Sequence, residues 1–542
     1  MRRPTTSESP TMVLYLAAVA AVAVATTGKP YRPPNAIPPA EGLDNPNAGQ
    51  KNEKIDHFVV LFIENRTPDH IWACDDLPTG DFIKDGHFLP IDPADPSKGG
   101  TTLKCGSATY VCPSGPGFDM FGLHFKPGAN EGKYPYGEQD DKYSSAHGAA
   151  GVAVTLFGKG TVPVKSAIAR QFSIFNNYHS SVPSYSTPNH LYAQSATSCG
   201  LDDNVNYNDC GGPKASFPQR TIYDNMFEGG VSFGIYSNHT PHSADTNMDG
   251  VQRHVDKFLG YTDFWGQAAN GTLPSFSFVF PGSDPRNGKE NSDHPCNDVA
   301  LGERLVKDVY ESLRAGPGWN KTLFLVTYDD AGGFYDHVVP PHEGIVPDES
   351  SCVIKAGCPQ PFDFKRVGSR VVSYLMSPWI PAGVIMGPPK KGGPLKTNGT
   401  AWEHSAISAT IVDLFGLPKY LTKRDSWAGS FSELLTEATP RDTPMHLPDA
   451  PPPTKKAAFH SCGDKDDISR KQRRHVELWT RLNGVAPPND WEAMGYEELQ
   501  TWIHAQYQIW RHGDRSAETV EKAAEAAVKD ETICHIPTPE RK

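Results

Sequence analysis

The stretch at residues 322–341, TLFLVTYDDAGGFYDHVVPP, constrains the fold more than any other part of this sequence. Its apolar run, 323–326, predicts a buried strand. Asp329 and Asp330 follow that strand, and the glycines within 331–333 allow a tight turn. In open α/β sheets, ligands bind beyond the carboxyl ends of the strands, so these carboxylates stand where a metal or phosphoryl site would be built. Taken alone, the stretch fits an Asp-rich turn without chemistry equally well.

A second strand is predicted at 54–63, KIDHFVVLFI, and it leads directly into a polar segment. Glu64 and Asn65 come first, then Thr67 as a helix N-cap and Pro68 as a first helical residue. A carboxylate and an amide therefore lie at a strand-to-helix switch, where a helix N-terminus attracts anions. The alternative is a solvated loop acid followed by a turn-forming asparagine.

Further along the chain, a strand at 273–281, a helix at 297–314 and the strand before Asp329 form a βαβ unit. This unit predicts a parallel sheet with its ligand loops on one edge. His294 lies in the loop of that unit, and His404 directly precedes a predicted helix at 406–415.

A hydroxyl-rich loop at 180–190 precedes a predicted helix at 191–198, and it could present a nucleophile at the start of that helix. Loops of this composition are also commonly caps and turns without chemistry. The loop lacks the GxSxG pattern of the α/β-hydrolase nucleophile elbow, which argues against an ordinary esterase triad.

The overall composition narrows the class of protein and its location. The 542 residues carry a formal net charge of −12 and no long basic run, so we expect no nucleic-acid partner. Arg2 and Arg3 precede an apolar run at 12–25 that ends in small residues, which predicts a signal peptide over 1–25. At this length the run is shorter than the roughly 20 residues of a membrane span.

The cysteines and glycosylation sequons fit that secreted location. Ten cysteines, an even number, favour disulfides formed in an oxidising compartment. Short loops could be closed by Cys105 with Cys112, Cys199 with Cys210, and Cys352 with Cys358, and Cys462 with Cys534 could clip the tail, although sequence does not fix connectivity. Sequons occur at Asn65, Asn238, Asn270, Asn320 and Asn398, and the one at Asn65 should be unused if that residue is buried. We expect an extracellular protein, including cell-wall or vacuole-type compartments.

The predicted domain organisation has four parts. The signal peptide, 1–25, is followed by an extended segment, 26–53, and by a catalytic domain, 54–439. The last part, 440–542, begins with a Pro-rich linker and continues with polar helices predicted at 467–482, 491–512 and 517–530. Their basic face is not sustained, which favours packing against protein over an amphipathic membrane helix.

The segment IENRTPDH at 63–70 resembles the E-N-R-S-F-D-H signature of the phosphoesterase family, which contains bacterial phospholipases C, certain acid phosphatases and plant non-specific phospholipases C. Further blocks resemble that family in the same order: STPNHLYAQSATS from Ser186, SDHPCNDVALGE from Ser292, TYDDAGGFYDHVVPP from Thr327, FDFKRVGSRVVSYLMSPWI from Phe362 and WEHSAISATIVDLF from Trp402. Several ordered blocks are specific for the family but do not separate lipase from phosphatase.

The resemblance implies an alkaline-phosphatase-like α/β sandwich with a central, mostly parallel sheet. It implies that Ser186 is the nucleophile, with Thr187 as the neighbouring candidate. The remaining site residues implied by the matching blocks are Glu64, Asn65, Asp329 and Asp330, which are also the candidate metal ligands, and the catalytic histidines His294 and His404.

Three departures from the family pattern bear on the site. Pro68 replaces a phenylalanine, His190 replaces an arginine, and Asp330 replaces a glutamate. The second change removes a fixed positive charge, and the third shortens the reach of a carboxylate towards a metal or phosphate.

The resemblance therefore implies a secreted phosphoric diester hydrolase, a phospholipase C acting on glycerophospholipids through a phospho-Ser186 intermediate. The alternatives are a secreted acid phosphatase acting on monoesters and an inactive lipid- or glycan-binding homologue. A phosphodiester anion repels nucleophiles, so the site must supply positive charge. Imidazolium from His294 and His404, and a divalent cation on the four oxygen ligands, would supply it. The expected partners are a phospholipid or phosphate-ester substrate and, transiently, a membrane surface.

Overall fold

The computed structural model describes residues 30–77, 80–90, 95–112, 150–202, 204, 216–237, 240–282, 290–295, 297–350, 362–397, 399–454 and 470–513. The chain divides into two compact units. One combines Met1–Pro34 with Asp464–Lys542, and the other is Asn35–Gly463. The predicted signal peptide lies outside the described residues, and the predicted boundaries at 53 and 439 stay a prediction.

The larger unit contains the strands. In the described residues these are β1 (His57–Ile63), β2 (Phe88–Pro90), β3 (Gly100–Thr102), β4 (Ser173–Phe175), β5 (Phe233–Tyr236), β6 (Phe258–Leu259), β7 (Phe276–Val279), β8 (Thr322–Tyr328), β9 (Ser373–Met376) and β10 (Val384–Met386). All but β2 and β3 belong to a single sheet of order β10-β4-β9-β8-β1-β7-β5-β6. The separate pair, β2 and β3, is antiparallel.

Helices surround this sheet. Within the described part of the larger unit they are α1 (Pro68–Trp72), α2 (Ala150–Ala153), α3 (Pro163–Gln171), α4 (Ser186–Ser195), α5 (Ile222–Glu228), α6 (Ser243–Thr246), α7 (Asp249–Arg253), α8 (Tyr261–Asn270), α9 (Val299–Ala315), α10 (Ser405–Phe415) and α11 (Lys423–Trp427). The smaller unit contains α12 (Arg470–Asn483) and α13 (Tyr496–His512). Short 3₁₀ turns occur at Pro96–Lys98, Val255–Lys257, Trp319–Lys321, Phe431–Leu434 and Trp491–Ala493.

The sheet is mostly parallel. Strand β1 pairs in parallel with both β7 and β8, while β9 runs antiparallel to β8 and to β4. Every residue of β8 is buried, which is typical of a strand covered by helices on both faces. The predicted α/β fold with a mostly parallel sheet is confirmed.

The register of β1 and β8 determines where their polar ends lie. Ile63 is paired with Tyr328 at the last position of both strands, so the residues that follow the two strands emerge side by side. The predicted βαβ unit is present as β7, α9 and β8, but β1 lies between the two strands in the sheet. Insertion of a distant strand between consecutive ones is a property of topology and leaves no local pattern.

Helix α4 begins earlier than expected. The helix predicted at 191–198 starts at Ser186, so the hydroxyl-rich loop supplies its first turn. Pro188 is compatible with this position, because the first turn of a helix needs no donor from that nitrogen. The helix ends at Ala196, which adopts a left-handed conformation with φ of 54°.

The disulfide found in the described residues corrects one predicted pairing. Cys74 and Cys105 are bonded, with their Cα atoms 5.7 Å apart. Cys112 is a buried free thiol, so the proposed Cys105–Cys112 loop is wrong. The other suggested pairs each include a cysteine outside the described residues.

In the smaller unit, the two helices pack through aromatic side chains. Trp479 of α12 lies 5.6 Å from Trp510 of α13 between ring centroids, and 5.9 Å from Tyr507. The predicted helices at 467–482 and 491–512 are thus present with shifted ends, and the one at 517–530 lies outside the described residues. Among the helices of the described chain, none has the length and apolar character needed to cross a membrane.

A buried lysine connects helix α3 to the loop before α9. The Lys165 ammonium lies 3.0 Å from Asp293 and 3.2 Å from Glu303, and all three side chains are inaccessible to solvent. Burial opposes the charge on Lys165, but the two carboxylates outweigh it and raise the pKa of the lysine. The backbone at Asp293 has φ of 67°, so this ion pair holds a loop in a conformation that non-glycine residues seldom adopt.

Replacing Lys165 with methionine should destabilise the larger unit by about 3–5 kcal/mol, because it leaves two buried carboxylates without their cation. Denaturation followed by circular dichroism measures this as a lower unfolding midpoint. Lys159→Met is the matched control, because Lys159 forms an exposed ion pair with Asp76 and its loss should change the midpoint little. Equal midpoints for the two variants would contradict the argument.

Candidate active site

The residues that follow β1 and β8 meet at the carboxyl edge of the sheet. The main-chain N–H of Asn65 donates to Asp329 Oδ1 at 3.1 Å, and its side-chain amide donates to the same oxygen at 3.3 Å. The amide also donates to Asp330 Oδ1. Two adjacent carboxylates and one amide are therefore held together by strands that are parallel neighbours.

The close approach of the two loops depends on backbone conformations that few residues adopt. Asn65 has φ of 68°, and asparagine is among the few non-glycine residues that tolerate this region. Gly332 has φ of 63°, and a Cβ atom there would lie 2.6 Å from both the Cβ and the carbonyl oxygen of Asn65. Asn65 is fully buried, so its sequon is inaccessible for glycosylation.

The two carboxylates differ in acidity although they are adjacent. Burial and the neighbouring charge of Asp329 raise the pKa of Asp330 well above its usual value, and Glu64 adds to the effect. Burial also opposes ionisation of Asp329, but hydrogen bonding and charge from His190 outweigh it and lower the pKa of Asp329. The pair therefore readily holds one negative charge and resists a second.

Ser186 brings a hydroxyl to this acid pair. It is the first residue of α4, and its Oγ donates to Asp330 Oδ2 at 3.2 Å. The side chain is almost fully buried. An alcohol oxygen beside a carboxylate at a helix start has the geometry that an activated nucleophile requires.

His190 lies one turn after Ser186 on α4 and faces the same site. Its Nε2 is 3.5 Å from Asp329 Oδ2, and its Nδ1 is 3.0 and 3.1 Å from the two carboxylate oxygens of Asp245. Burial disfavours the imidazolium, but Asp245 and Asp329 together raise the pKa of His190 well above its usual value. His190 thus brings back the positive charge that the loss of the family's arginine had been expected to remove.

His294 and Glu64 lie next to each other at the more open side of the site. The Nε2 of His294 is 3.9 Å from Glu64 Oε2, and its Nδ1 is 3.0 Å from the carbonyl oxygen of Pro295. The His294 side chain is 31% exposed, whereas Glu64 is buried. Solvent and substrate can therefore reach His294.

His404 is placed differently from the expectation. Its Nε2 lies 2.6 Å from the main-chain oxygen of Asp329, and its Nδ1 lies 3.4 Å from the Tyr178 hydroxyl. Burial lowers the pKa of His404 to about 4, so its ring is neutral near pH 7. This environment disfavours the imidazolium role of His404, which stays a prediction, and the contact indicates that the ring positions the backbone of Asp329.

Three buried polar atoms at the site lack a hydrogen bond of good geometry within the part of the chain that the structure describes: Asn65 Oδ1, Asp329 Oδ2 and His190 Nε2. Unpartnered buried polar atoms are costly, and here all three can act as metal ligands. Separately, ligand atoms of His190, His242 and Asp245 lie within 4.8 Å of one another, although His190 Nδ1 already contacts Asp245 in this group. The residues present therefore fit a bound divalent cation.

A second acidic cluster includes Asp69, Asp336 and His337, whose ligand atoms are also mutually close. The guanidinium of Arg370 occupies it, at 2.8 and 3.1 Å from the two oxygens of Asp336 and 3.3 Å from Asp69. His337 Nδ1 lies 2.7 Å from the other oxygen of Asp69. Since an arginine neutralises these carboxylates, the cluster is a structural ion-pair network.

The structure brings together most residues predicted for the site. Glu64, Asn65, Ser186, Asp329 and Asp330 all lie at the carboxyl edge of β1 and β8, although their catalytic and ligand roles stay predictions. Asp245 is absent from the predicted site residues, and His190 enters the prediction only as the loss of a fixed positive charge. The one available signal was the departure from the family pattern at His190.

The site has an acid pair, an amide and a hydroxyl at the carboxyl edge of a mostly parallel sheet. Together with a match to a protein family, this arrangement places the chain in the class of phosphoester hydrolases. The family model described as Phosphoesterase family matches residues 55–418. The chain belongs to the phosphoesterase family and is a hydrolase that acts on phosphoester bonds.

Curated relatives agree with this assignment. The chain is 33% identical over 465 residues to non-specific phospholipase C1 of Arabidopsis thaliana, which covers 81% of this chain and 82% of the relative. It is 34% identical to non-specific phospholipase C6 of the same plant, with coverage of 80% and 82%. Phospholipase C B of Mycobacterium tuberculosis is 26% identical, with coverage of 71% and 78%.

Among solved structures, a protein of the alkaline phosphatase superfamily from Vibrio parahaemolyticus is similar with a TM-score of 0.32 and 12% identity. That similarity covers 77% of this chain and 78% of the other.

His337→Gln should destabilise the protein in a pH-dependent way. Burial opposes the charge on His337, but Asp69 outweighs it and raises the pKa of His337 from 6.5 to about 9. A raised pKa stabilises the fold fully below pH 6.5, and the stabilisation is lost as the pH rises through about 9. The substitution should therefore cost up to about 3 kcal/mol at pH 6 and much less at pH 10.

Denaturation of the wild type and of this variant at both pH values measures that difference. His446→Gln is the control, because the side chain of His446 is 79% exposed and its contact with Glu311 lies at the surface. A His337→Gln cost that is the same at pH 6 and pH 10 would show that the imidazole charge contributes no stability.

Proposed function

We propose that the protein is a phospholipase C that hydrolyses glycerophospholipids to diacylglycerol and a phosphorylated head group, through a phosphoserine intermediate on Ser186. The observation that carries the proposal is the 3.2 Å hydrogen bond from Ser186 Oγ to the buried acid pair. The names of the plant and mycobacterial relatives support a phospholipid diester as the substrate.

In the first step Ser186 Oγ attacks phosphorus, and its proton passes to Asp330 in its ionised form. Asp330 Oδ2 already accepts the hydrogen bond of that hydroxyl, and the raised pKa of Asp330 makes its carboxylate the stronger base of the acid pair. The new Oγ–P bond forms as the bond from phosphorus to the diacylglycerol oxygen breaks. In the second step, water attacks phosphorus and gives up a proton to His294, the Oγ–P bond breaks, and the phosphorylated head group leaves while Ser186 regains its proton from Asp330.

We assign protonation of the leaving diacylglycerol oxygen to His294, because it is the partly exposed histidine beside the site. His404 is excluded from this role by its burial and by its contact with the main-chain oxygen of Asp329. His294 is thus the solvent-accessible imidazole beside the substrate, and His404 is the neutral imidazole behind the site.

Asn65, Asp329 and Asp330, with Glu64 nearby, would hold a divalent cation, which when bound supplies positive charge to the phosphoryl oxygens. The buried unpartnered oxygens of Asn65 and Asp329 support this assignment. Without added positive charge, the acid pair would repel a phosphodiester anion.

We further propose that the protein is secreted and contacts membrane surfaces only transiently. The Cys74–Cys105 disulfide supports passage through an oxidising compartment. Cleavage of the predicted signal peptide after residue 25 is checked by N-terminal sequencing of protein recovered from the culture medium. An intact N-terminus on cell-associated protein would contradict secretion.

Ser186→Ala should lower phospholipid hydrolysis at least about 1,000-fold, because the attacking oxygen is removed. The measurement is release of diacylglycerol and phosphorylated head group from vesicles of mixed phospholipids, with mass spectrometry of the trapped Ser186 peptide for an added phosphoryl group. Thr187→Ala is the matched control. Its main-chain N–H donates to Asn204 Oδ1, and among the described residues no contact places its hydroxyl on the acid pair, so activity should fall much less.

Parallel assays separate the alternatives. Turnover of a soluble phosphomonoester without release of phosphorylated head groups would identify an acid phosphatase. Vesicle binding without any turnover, unchanged in Ser186→Ala, would identify a non-catalytic lipid-binding homologue. Either result would overturn the phospholipase C proposal.

A further inference from the structure

His190 differs from the other polar residues of the site because its position in the family pattern belongs to an arginine. Four residues separate it from Ser186 on α4, so both side chains lie on one face of that helix. Its imidazole is buried, and its Nε2 atom is directed towards Asp329 Oδ2 at 3.5 Å. An imidazole nitrogen thus faces the buried acid pair directly.

The orientation of that imidazole is fixed from behind. Both oxygens of the buried Asp245 lie within 3.1 Å of His190 Nδ1, the arrangement expected when Nδ1–H donates to a carboxylate. Asp245 also accepts a hydrogen bond from Gln194, whose side-chain oxygen accepts one from Tyr223 at 2.9 Å. A carboxylate that holds one imidazole nitrogen and leaves the other for a metal is the usual outer partner of a metal-ligating histidine.

The second ring nitrogen of His190, Nε2, is one of three polar atoms at the site that lack a hydrogen-bond partner within the described part of the chain. Asn65 Oδ1, Asp329 Oδ2 and His190 Nε2 are buried and make no hydrogen bond of good geometry among the described residues. Two ligands at tetrahedral angles on an ion with bonds of 2.0–2.2 Å lie about 3.4 Å apart. The 3.5 Å between Nε2 and Oδ2 matches that separation better than a direct hydrogen bond.

We propose that His190 Nε2 is a ligand of the divalent cation at this site, together with Asp329 Oδ2 and Asn65 Oδ1, and that Asp245 positions His190. This inference rests on the proposed function, because the catalytic role of the cation is part of that proposal. The identity of the nitrogen ligand is argued from the contacts of His190 itself. A mixed nitrogen and oxygen donor set favours zinc, cobalt or manganese over calcium or magnesium, which prefer oxygen ligands alone.

The competing explanation is that His190 only replaces the arginine as a cation between Asp245 and Asp329. A proton and a metal ion are alternatives at Nε2, so the two explanations predict different effects of restoring the arginine. His190→Arg preserves the positive charge but cannot ligate a metal. It should keep metal binding intact if His190 is only a cation, and lose it if His190 is a ligand.

The experiment uses the full chain, stripped with a chelator and titrated separately with zinc and cobalt. Elemental analysis measures the stoichiometry, and the visible absorption of the cobalt form reports the ligand set. We expect one ion per chain in the wild type. His190→Arg and His190→Gln should each weaken binding at least about tenfold and change the cobalt spectrum, and Asp245→Asn should weaken binding about 10–100-fold.

Two matched variants test whether these losses are specific. His254→Gln alters another buried histidine, one paired with Asp224, and should leave metal binding unchanged. His242→Gln alters a ring whose centroid lies 4.6 Å from that of His190 and which is not among the proposed metal ligands, so this variant should also bind the metal normally. Loss of the ion in His242→Gln with retention in His190→Arg would place the metal elsewhere and overturn the proposal.

X-ray absorption of the zinc-loaded wild type avoids dependence on any variant's folding. An imidazole contribution supports the nitrogen ligand, while an all-oxygen shell, or a wild type that binds neither ion, overturns it. Phospholipid hydrolysis is scored separately. Metal binding through His190 without phosphoester turnover would defeat the proposed function alone, and turnover lost in Ser186→Ala with metal binding unchanged in His190→Arg would defeat this inference alone.

Discussion

Two adjacent carboxylates buried at the end of a central strand are the constraint on which the rest of this site depends. Buried charges are tolerated only when donors or cations face them. Asn65 supplies an amide, Ser186 a hydroxyl and His190 an imidazole, and each comes from a different turn or element than Asp329 and Asp330. The same electrostatic demand therefore draws the loop after β1, the start of α4 and the end of β8 into one place.

Much of this could be predicted from the sequence where local chemistry decides the outcome. The apolar runs before Glu64 and Asp329 predict strands, and parallel strands place their carboxyl ends on one edge, so Asn65 and Asp329 are predicted on the same edge. Their direct contact depends on the pairing of β1 with β8, which no local pattern predicts. The contact between His190 and Asp245 could not be predicted in this way. Fifty-five residues separate them, and a pairing across such a distance leaves no periodicity in the sequence.

The charge states of the site histidines also could not be predicted from local sequence patterns. His404 precedes a helix as the motif suggested, yet its environment rather than its position sets its protonation, because burial keeps the ring neutral. The pKa of His190 is instead raised, although its ring is also buried, because two carboxylates face it. The family resemblance identified His404 as a site residue and marked His190 only as a departure from the pattern, and only the packed structure separates a neutral positioning group from one that meets the acids.

The first turn of α4 explains how the site keeps its geometry. Ser186 and His190 are one turn apart on a helix whose every residue is buried, so the packing of one helix holds both side chains. His190 is anchored through Asp245, and Asp245 through Gln194 of the same helix, so these contacts begin and end on α4. The proposed nucleophile and the proposed nitrogen ligand are thus positioned by the same element, and a shift of α4 would move both relative to the acid pair.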